Sequence, residues 1–104
     1  MEIWTRCYEL SKSLPKDERF GLVSQINRAS SSIPANIAEG SSRKSQKDTA
    51  RFIQIALGSA FELETFLIGI NRLQLLPEEK TQGMLDLIIE EQKMLSGFLK
   101  SLEA

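Results

Sequence analysis

The stretch SIPANIAEGSSRKS (residues 32–45) decides the fold, because it joins the two most apolar parts of the chain. Pro34 interrupts a helical pattern, but a new helix starting there would have only six residues before Gly40. We therefore predict one long, kinked helix through the proline. Gly40 suits the left-handed residue that closes a helix. Ser45 and Asp48 have the spacing of a capping box that opens the next helix, so the stretch predicts a tight turn between two helices that fold back on each other.

Proline and glycine divide the whole chain into four helical segments. We predict helices over about residues 2–13, 15–39, 46–74 and 77–102. No sustained alternation of period two and no Asn-Gly or Asp-Gly turn indicates a strand. Four helices with short connections predict an all-α, antiparallel four-helix bundle, with residues 1–104 as a single domain.

The composition excludes several functional classes. The chain has no histidine, which removes the commonest general base and metal ligand, and its one cysteine, Cys7, lies on an apolar stripe where we expect a buried structural thiol. We expect no cofactor, no metal site and no enzymatic activity. No N-terminal leader is visible and no apolar run approaches the ~20 residues of a membrane span. The sequence therefore predicts a soluble, cytoplasmic protein that does not enter a membrane.

The third predicted helix is apolar over more than half of its circumference, whereas a bundle helix needs an apolar stripe of little more than ~100°. Its expected core stripe consists of Phe52, Ile55, Ala56, Ser59, Leu63, Phe66, Leu67, Ile70 and Leu73. A second apolar stripe consists of Ile53, Leu57, Phe61 and Ile68. Either this helix is central in the monomer or the second stripe packs against another subunit. A four-helix bundle has no central helix, so we predict a subunit contact.

Glycines inside the predicted helices favour close contact between helices. Five of the six glycines, Gly21, Gly58, Gly69, Gly83 and Gly97, fall within helical segments. Each costs about 1 kcal/mol relative to alanine. Close approach of helix backbones, within or between subunits, would offset that cost, although Gly83 and Gly97 are also compatible with simple tolerance at exposed positions.

Several polar residues lie beside the predicted core and need partners there. We predict a structural network that fixes helix register, formed by Gln25, Arg28, Asn36, Glu39, Glu62 and Glu64. The alternative is that the carboxylates perform acid–base catalysis. No nucleophile, histidine or metal-ligand spacing accompanies them, which favours the structural interpretation.

A cluster of cations marks the start of the third helix and consists of Arg43, Lys44, Lys47 and Arg51. Residues 1–52 carry a charge of +3 and residues 53–104 a charge of −4. Taken alone, the cluster is typical of a solvated helix end, since the sequence shows no interleaved aromatic residue for base stacking. Repeated around an oligomeric ring, it would form a positive surface able to bind RNA or DNA.

Four segments resemble the family of 23S rRNA intervening-sequence proteins, a fold group that includes the accessory variability determinant of diversity-generating retroelements. They are Ile3-Trp4, LPKDERFGL (14–22), QINRASSSIPANIAEGSSRKS (25–45) and FIQIALGSAFELE (52–64). The resemblance implies an up-down-up-down four-helix bundle that assembles into a homopentameric ring. Family members are similar to sequences encoded inside bacterial 23S rRNA genes, and the strongly basic retroelement relatives bind RNA and a reverse transcriptase. The net charge of this chain is −1.

Two functional hypotheses follow. The first is a non-enzymatic oligomeric helical bundle that binds nucleic acid or a nucleic-acid-bound protein as a scaffold. The second is a purely structural homo-oligomer that contacts other proteins and no nucleic acid.

Overall fold

The computed structural model describes residues 1–18 and 21–103, which form four α-helices and no strand. The helices are α1 (Glu2–Ser11), α2 (Leu22–Ser41), α3 (Gln46–Arg72) and α4 (Glu78–Glu103). The predicted all-α class with four helices is confirmed. The predicted start of the second helix is wrong, since Pro15 leads only into a 3₁₀ turn, Lys16–Glu18. The predicted range also includes residues 19 and 20, which lie outside the described residues. Gly21, with φ −99° and ψ −95°, stands before α2 in a non-helical conformation.

All four helices contribute to one apolar core, as the fully buried Cys7, Ile26, Leu63 and Ile88 illustrate. The prediction of a buried thiol at Cys7 is confirmed. Burial disfavours the thiolate and raises the pKa of Cys7 to about 12, although a hydrogen bond with Ser30 acts in the opposite direction. Cys7 is therefore a neutral core side chain.

The helix α2 continues through Pro34 without a break, as the opening stretch predicts. Gly40 has a different role from the predicted one. It lies within α2, is buried and has a negative φ. A Cβ atom at Gly40 would lie 3.2 Å from the Cβ of Phe52 and 3.3 Å from the carbonyl oxygen of Thr49. The glycine is therefore required because α3 approaches the backbone of α2 closely at this point.

The turn between α2 and α3 is held by local hydrogen bonds. The hydroxyl of Ser45 accepts from the backbone N–H of Asp48 at 3.1 Å, which confirms the predicted N-cap of α3. The hydroxyl of Thr49 donates to the carbonyl of Gly40 at 3.0 Å and so joins the two helices directly.

The left-handed residue that closes a helix occurs at the end of α3. Gln74 has a φ of 56°. Its N–H donates to the carbonyl of Asn71, and the N–H of Leu75 donates to that of Ile70, the two bonds of a Schellman motif. This turn ends α3 and leads the chain into α4.

By length and composition alone, α3 could cross a membrane. The sequence analysis expected no apolar run long enough for a membrane span. A core helix passes the same test. Ile53, Leu67 and Ile70 of α3 are fully buried against the other helices. Part of the apolar surface of α3 therefore belongs to the core, while Phe61 and Ile68 are exposed.

Replacing Gly40 with alanine should destabilise the fold by about 1 kcal/mol. The new methyl group meets two atoms that are fixed to the α3 backbone, and such overpacking costs about 1–3 kcal/mol, only partly offset by the helix propensity of alanine. Gly83→Ala is the matched control, because nothing lies within 4 Å of its Cβ position. Chemical denaturation should show a loss of stability for Gly40→Ala and a gain for Gly83→Ala. Equal gains would contradict the close approach.

Candidate functional site

Four cations surround the turn between α2 and α3, and we call Arg43, Lys44, Lys47 and Arg51 the basic corner. All four are exposed. The guanidinium of Arg43 pairs with Glu39 at 2.7 Å. Within the described residues, Lys44, Lys47 and Arg51 form no ion pair. The nearby carboxylates of Glu39 and Asp48 leave the corner with a net charge of about two positive units at neutral pH.

An aromatic ring that sequence reasoning assigned only to the core lies within the basic corner. The guanidinium carbons of Arg43 and Arg51 lie 4.7 Å and 5.1 Å from the ring centroid of half-buried Phe52. Cation–π contact of this kind stabilises the position of an exposed guanidinium by about 0.5–1 kcal/mol. The same contacts cover Phe52, so we expect the ring to orient the two arginines and the corner to contact phosphates more readily than bases.

The predicted polar network is wrong as a single unit, because the structure divides its members into four groups. Arg28 bonds the amide oxygen of Gln25 at 2.9 Å and Glu62 of α3 at 2.8 Å. Glu39 pairs with Arg43, while Asn36 and Glu64 bond elsewhere. The division arises because α2 contacts α3 along one side and α4 contacts α3 along another.

The contacts of Asn36 and Glu64 involve residues that sequence reasoning did not assign to the network. The amide of Asn36 donates to the hydroxyl of Ser32 at 2.9 Å, and Ser59 of α3 donates to the same hydroxyl at 2.8 Å. On the other side of α3, Gln92 donates to the carboxylate of Glu64 at 2.9 Å. A signal for Gln92 was present, since it falls between Ile88 and Leu95 on the buried face of α4.

The two apolar stripes of α3 are distributed differently from the prediction. Ile53 is fully buried inside the monomer beside Leu95 of α4, so it cannot serve in a subunit contact. Ile55 and Leu73, both predicted to be core residues, are 45% and 69% exposed. The buried arc is rotated toward α4 because α3 packs against α4 as well as α2.

The rest of the second stripe remains available at the surface, and we call Leu57, Phe61 and Ile68 the outer face of α3. Phe61 is 50% exposed and Ile68 41% exposed, whereas Leu57 is half-buried. Among the described residues, nothing lies within 4 Å of a Cβ built on Gly58 or Gly69, which also lie on α3. Residues 1–18 and 21–103 therefore provide no close packing that would offset the cost of these two glycines.

The described residues do not bring together groups suited to catalysis. Glu62 and Glu64 bond to Arg28 and Gln92 respectively. Among the described residues, no group of three or more His, Cys, Asp or Glu side chains is arranged to hold a metal ion. The arrangement supports binding of anions at the basic corner and of apolar surfaces at the outer face of α3.

The sequence profile of the 23S rRNA-intervening sequence protein family matches residues 1–97. The chain belongs to this family. The crystal structure of a protein with unknown function from the S23 ribosomal protein family of Bacteroides thetaiotaomicron is similar, with a TM-score of 0.89 and 30% sequence identity. The similarity covers 95% of this chain and 93% of that one. No match was found among curated proteins. Membership of the 23S rRNA-intervening sequence family confirms the resemblance.

Replacing Ser32 with alanine should destabilise the protein by about 1 kcal/mol relative to a matched control. The change leaves the nearly buried hydroxyl of Ser59 without its acceptor, and an unsatisfied buried polar group costs about 1–3 kcal/mol. Ser31→Ala is the control, since Ser31 donates only to the carbonyl of Arg28 within its own helix. Thermal unfolding of both variants measures the difference. A lower melting temperature for Ser31→Ala than for Ser32→Ala would contradict a role for Ser32 in joining α2 to α3.

Proposed function

We propose that this protein is a non-enzymatic, cytoplasmic helical bundle that forms a homo-oligomeric ring and binds RNA through its basic corners. The proposed ring is a homopentamer, as the family resemblance implies. The basic corner contacts phosphates of RNA, free or within a ribonucleoprotein, with little dependence on base sequence. No catalytic step belongs to this function.

The proposed fold within the ring is an up-down-up-down arrangement of the four helices in one domain. Contacts between neighbouring helices support it, because residue numbers increase along one helix while those of their partners decrease along the next. These contacts are hydrogen bonds and one ion pair. Between α2 and α3 the joined pairs are 28 with 62, 32 with 59 and 40 with 49. Between α3 and α4 they are 64 with 92 and 71 with 81.

The outer face of α3 supports assembly. Phe61 and Ile68 expose large apolar side chains, and Gly58 and Gly69 leave room for a neighbouring backbone. Burial of apolar surface contributes about 25 cal/mol per Å², so a second subunit on this face would stabilise both copies. A ring requires two different surfaces on each subunit, and the outer face of α3 supplies one of them.

The observation that carries the RNA proposal is the placement of Arg43 and Arg51 over Phe52. The two guanidiniums are held next to Lys44 and Lys47, which have no ion-pair partner within the described residues. Two net charges attract nucleic acid weakly, because each phosphate contact adds only a small increment to the affinity. Repetition around a ring raises the local concentration of contacts for one RNA strand.

A second candidate function is a structural homo-oligomer that contacts proteins and no nucleic acid. The net charge of −1 and the exposed apolar outer face of α3 favour it. The two candidates make the same prediction for assembly and opposite predictions for RNA binding. Substitutions in the basic corner therefore distinguish them.

The double substitution Lys44→Ala and Lys47→Ala should weaken RNA binding and flatten its salt dependence. Each lost phosphate contact lowers the log–log slope by about 0.7–0.9. A decrease in the slope larger than the loss of two phosphate contacts predicts would show that one RNA strand contacts the basic corners of several subunits. Fluorescence anisotropy over a salt series, with single-stranded and duplex RNA, measures the slope.

The control for this experiment is Lys93→Ala, which removes an exposed lysine from α4, away from the basic corner. It should leave the slope unchanged. Failure of the unmodified protein to bind any RNA or DNA in a salt-sensitive manner would exclude the first candidate and favour the second.

The double substitution Phe61→Glu and Ile68→Glu should dissociate the assembly without unfolding the chain, because both side chains are exposed in the monomer. The mass in solution should fall from that of five 11.7 kDa chains, about 58 kDa, to that of a monomer. Ile55→Glu is the matched control: it is 45% exposed and lies about 120° around the helix from Phe61. Sedimentation with circular dichroism measures mass and folding together. A monomeric unmodified protein at micromolar concentration would contradict the proposed ring.

A further inference from the structure

Apolar surface lies open beside the first residues of α1. α1 has 10 residues and spans about 15 Å, whereas α2 has 20 residues and α4 has 26, spanning about 30 Å and 39 Å. The first residues of α1 lie beside residues 33–38 of α2 and residues 87–94 of α4. Beyond that level α2 continues for three residues, to Ser41, and α4 for nine, to Glu103.

A groove of about 570 Å³ opens where α1 begins. Its apolar lining includes Ile3, Ile37, Leu87 and Met94, and Met94 is 62% exposed. Phe98 lies one turn further along α4 from Met94 and is 41% exposed. The groove and its continuation therefore form an apolar strip along α4 from Leu87 to Phe98.

The charged side chains that line this groove are all acidic. They are Glu2, Glu90 and Glu91, and no lysine or arginine is among the described lining residues. Glu2 pairs with Arg6 at 3.3 Å at an exposed position. Glu90 and Glu91 form no ion pair within the described part of the chain. Adjacent carboxylates beside apolar surface attract a cationic segment.

We propose that this groove binds a basic amphipathic helix of another protein, in line with α1. The apolar side of that helix packs on Ile37, Leu87 and Met94, and its lysine or arginine side chains pair with Glu90 and Glu91. From Leu87 to Phe98 the strip on α4 is about 16 Å long, which corresponds to about three turns of the bound helix. Recognition of this kind uses apolar anchors at helical spacing. The proposal does not depend on the ring or on RNA binding.

Charge also decides against the outer face of α3 of a second copy as the occupant. The exposed apolar side chains of the outer face of α3 are neighboured by Glu62 and Glu64 in sequence. Placing that face against Glu90 and Glu91 would bring like charges together, which disfavours the contact. A segment rich in lysine or arginine has the complementary charge.

The test uses two synthetic helical peptides of about 15 residues, about 22 Å long, with leucine at i, i+3, i+4 and i+7. One carries lysine and arginine at its polar positions, and the other carries glutamate there. Fluorescence anisotropy with the full chain should show binding of the basic peptide and much weaker binding of the acidic one. The double substitution Glu90→Gln and Glu91→Gln should weaken binding of the basic peptide about fivefold, the effect of losing two exposed ion pairs.

Asp86→Asn is the matched control, because Asp86 lies on α4 outside the groove and accepts a hydrogen bond from Gln82. It should leave the affinity unchanged. Met94→Glu should abolish binding, while circular dichroism shows that the exposed position tolerates the change. Equal affinity for both peptides, no binding of the basic peptide, or equal effects of the Gln and Asn variants would overturn the proposal. A fall in solution mass with Met94→Glu in the absence of peptide would also overturn it, by showing a second copy in the groove.

Discussion

The close contact of α2 and α3 at Gly40 is the constraint on which the rest of the arrangement depends. Because Gly40 has no side chain, Phe52 and Thr49 approach its backbone, and the Thr49 hydroxyl bonds its carbonyl. Two long helices fixed at one end have little freedom elsewhere, so Ser32 meets Ser59 and Arg28 meets Glu62 further along. The same contact places Phe52 under two arginines. The absence of a side chain at Gly40 thus contributes both to the helix register and to the position of Phe52 in the basic corner.

The position of α1 is a second constraint, and it determines which apolar side chains are buried and which are exposed. Where α1 is present, four helices enclose a shared apolar core, and buried side chains such as Cys7 and Ile26 have neighbours on all sides. At and beyond the level of the first residues of α1, Met94 and Phe98 of α4 remain exposed. A chain of this size buries a limited fraction of its surface. Exposed apolar residues at this level and on the outer face of α3 are therefore the natural places for partners.

Local signals in the sequence predicted the elements, while facing surfaces required the structure. Proline, glycine and capping residues were sufficient to predict four helices, including the passage of α2 through Pro34 and the cap at Ser45. They placed the start of α2 wrongly, because Pro15 precedes a 3₁₀ turn and not an α-helix. The function of Gly40 was missed because a glycine at a helix end and a glycine at a helix contact look alike in one sequence. Of the six predicted network residues, Asn36, Glu62 and Glu64 are half-buried, whereas Gln25, Arg28 and Glu39 are exposed. Their pairing depends on which side of α3 faces each neighbour. Ile53 was assigned to the outer stripe for the same reason, since a helical wheel gives angles and not neighbours.

The proposed binding surfaces have opposite charge and lie near each other. Ala38 lines the acidic groove and Arg43 belongs to the basic corner, and only Glu39–Ser42 separate them in the sequence. A cationic helix and a polyanion are therefore attracted to different faces at the same end of α2. A net charge of −1 is consistent with this arrangement, because local separation of charge, and not its total, determines what each surface binds.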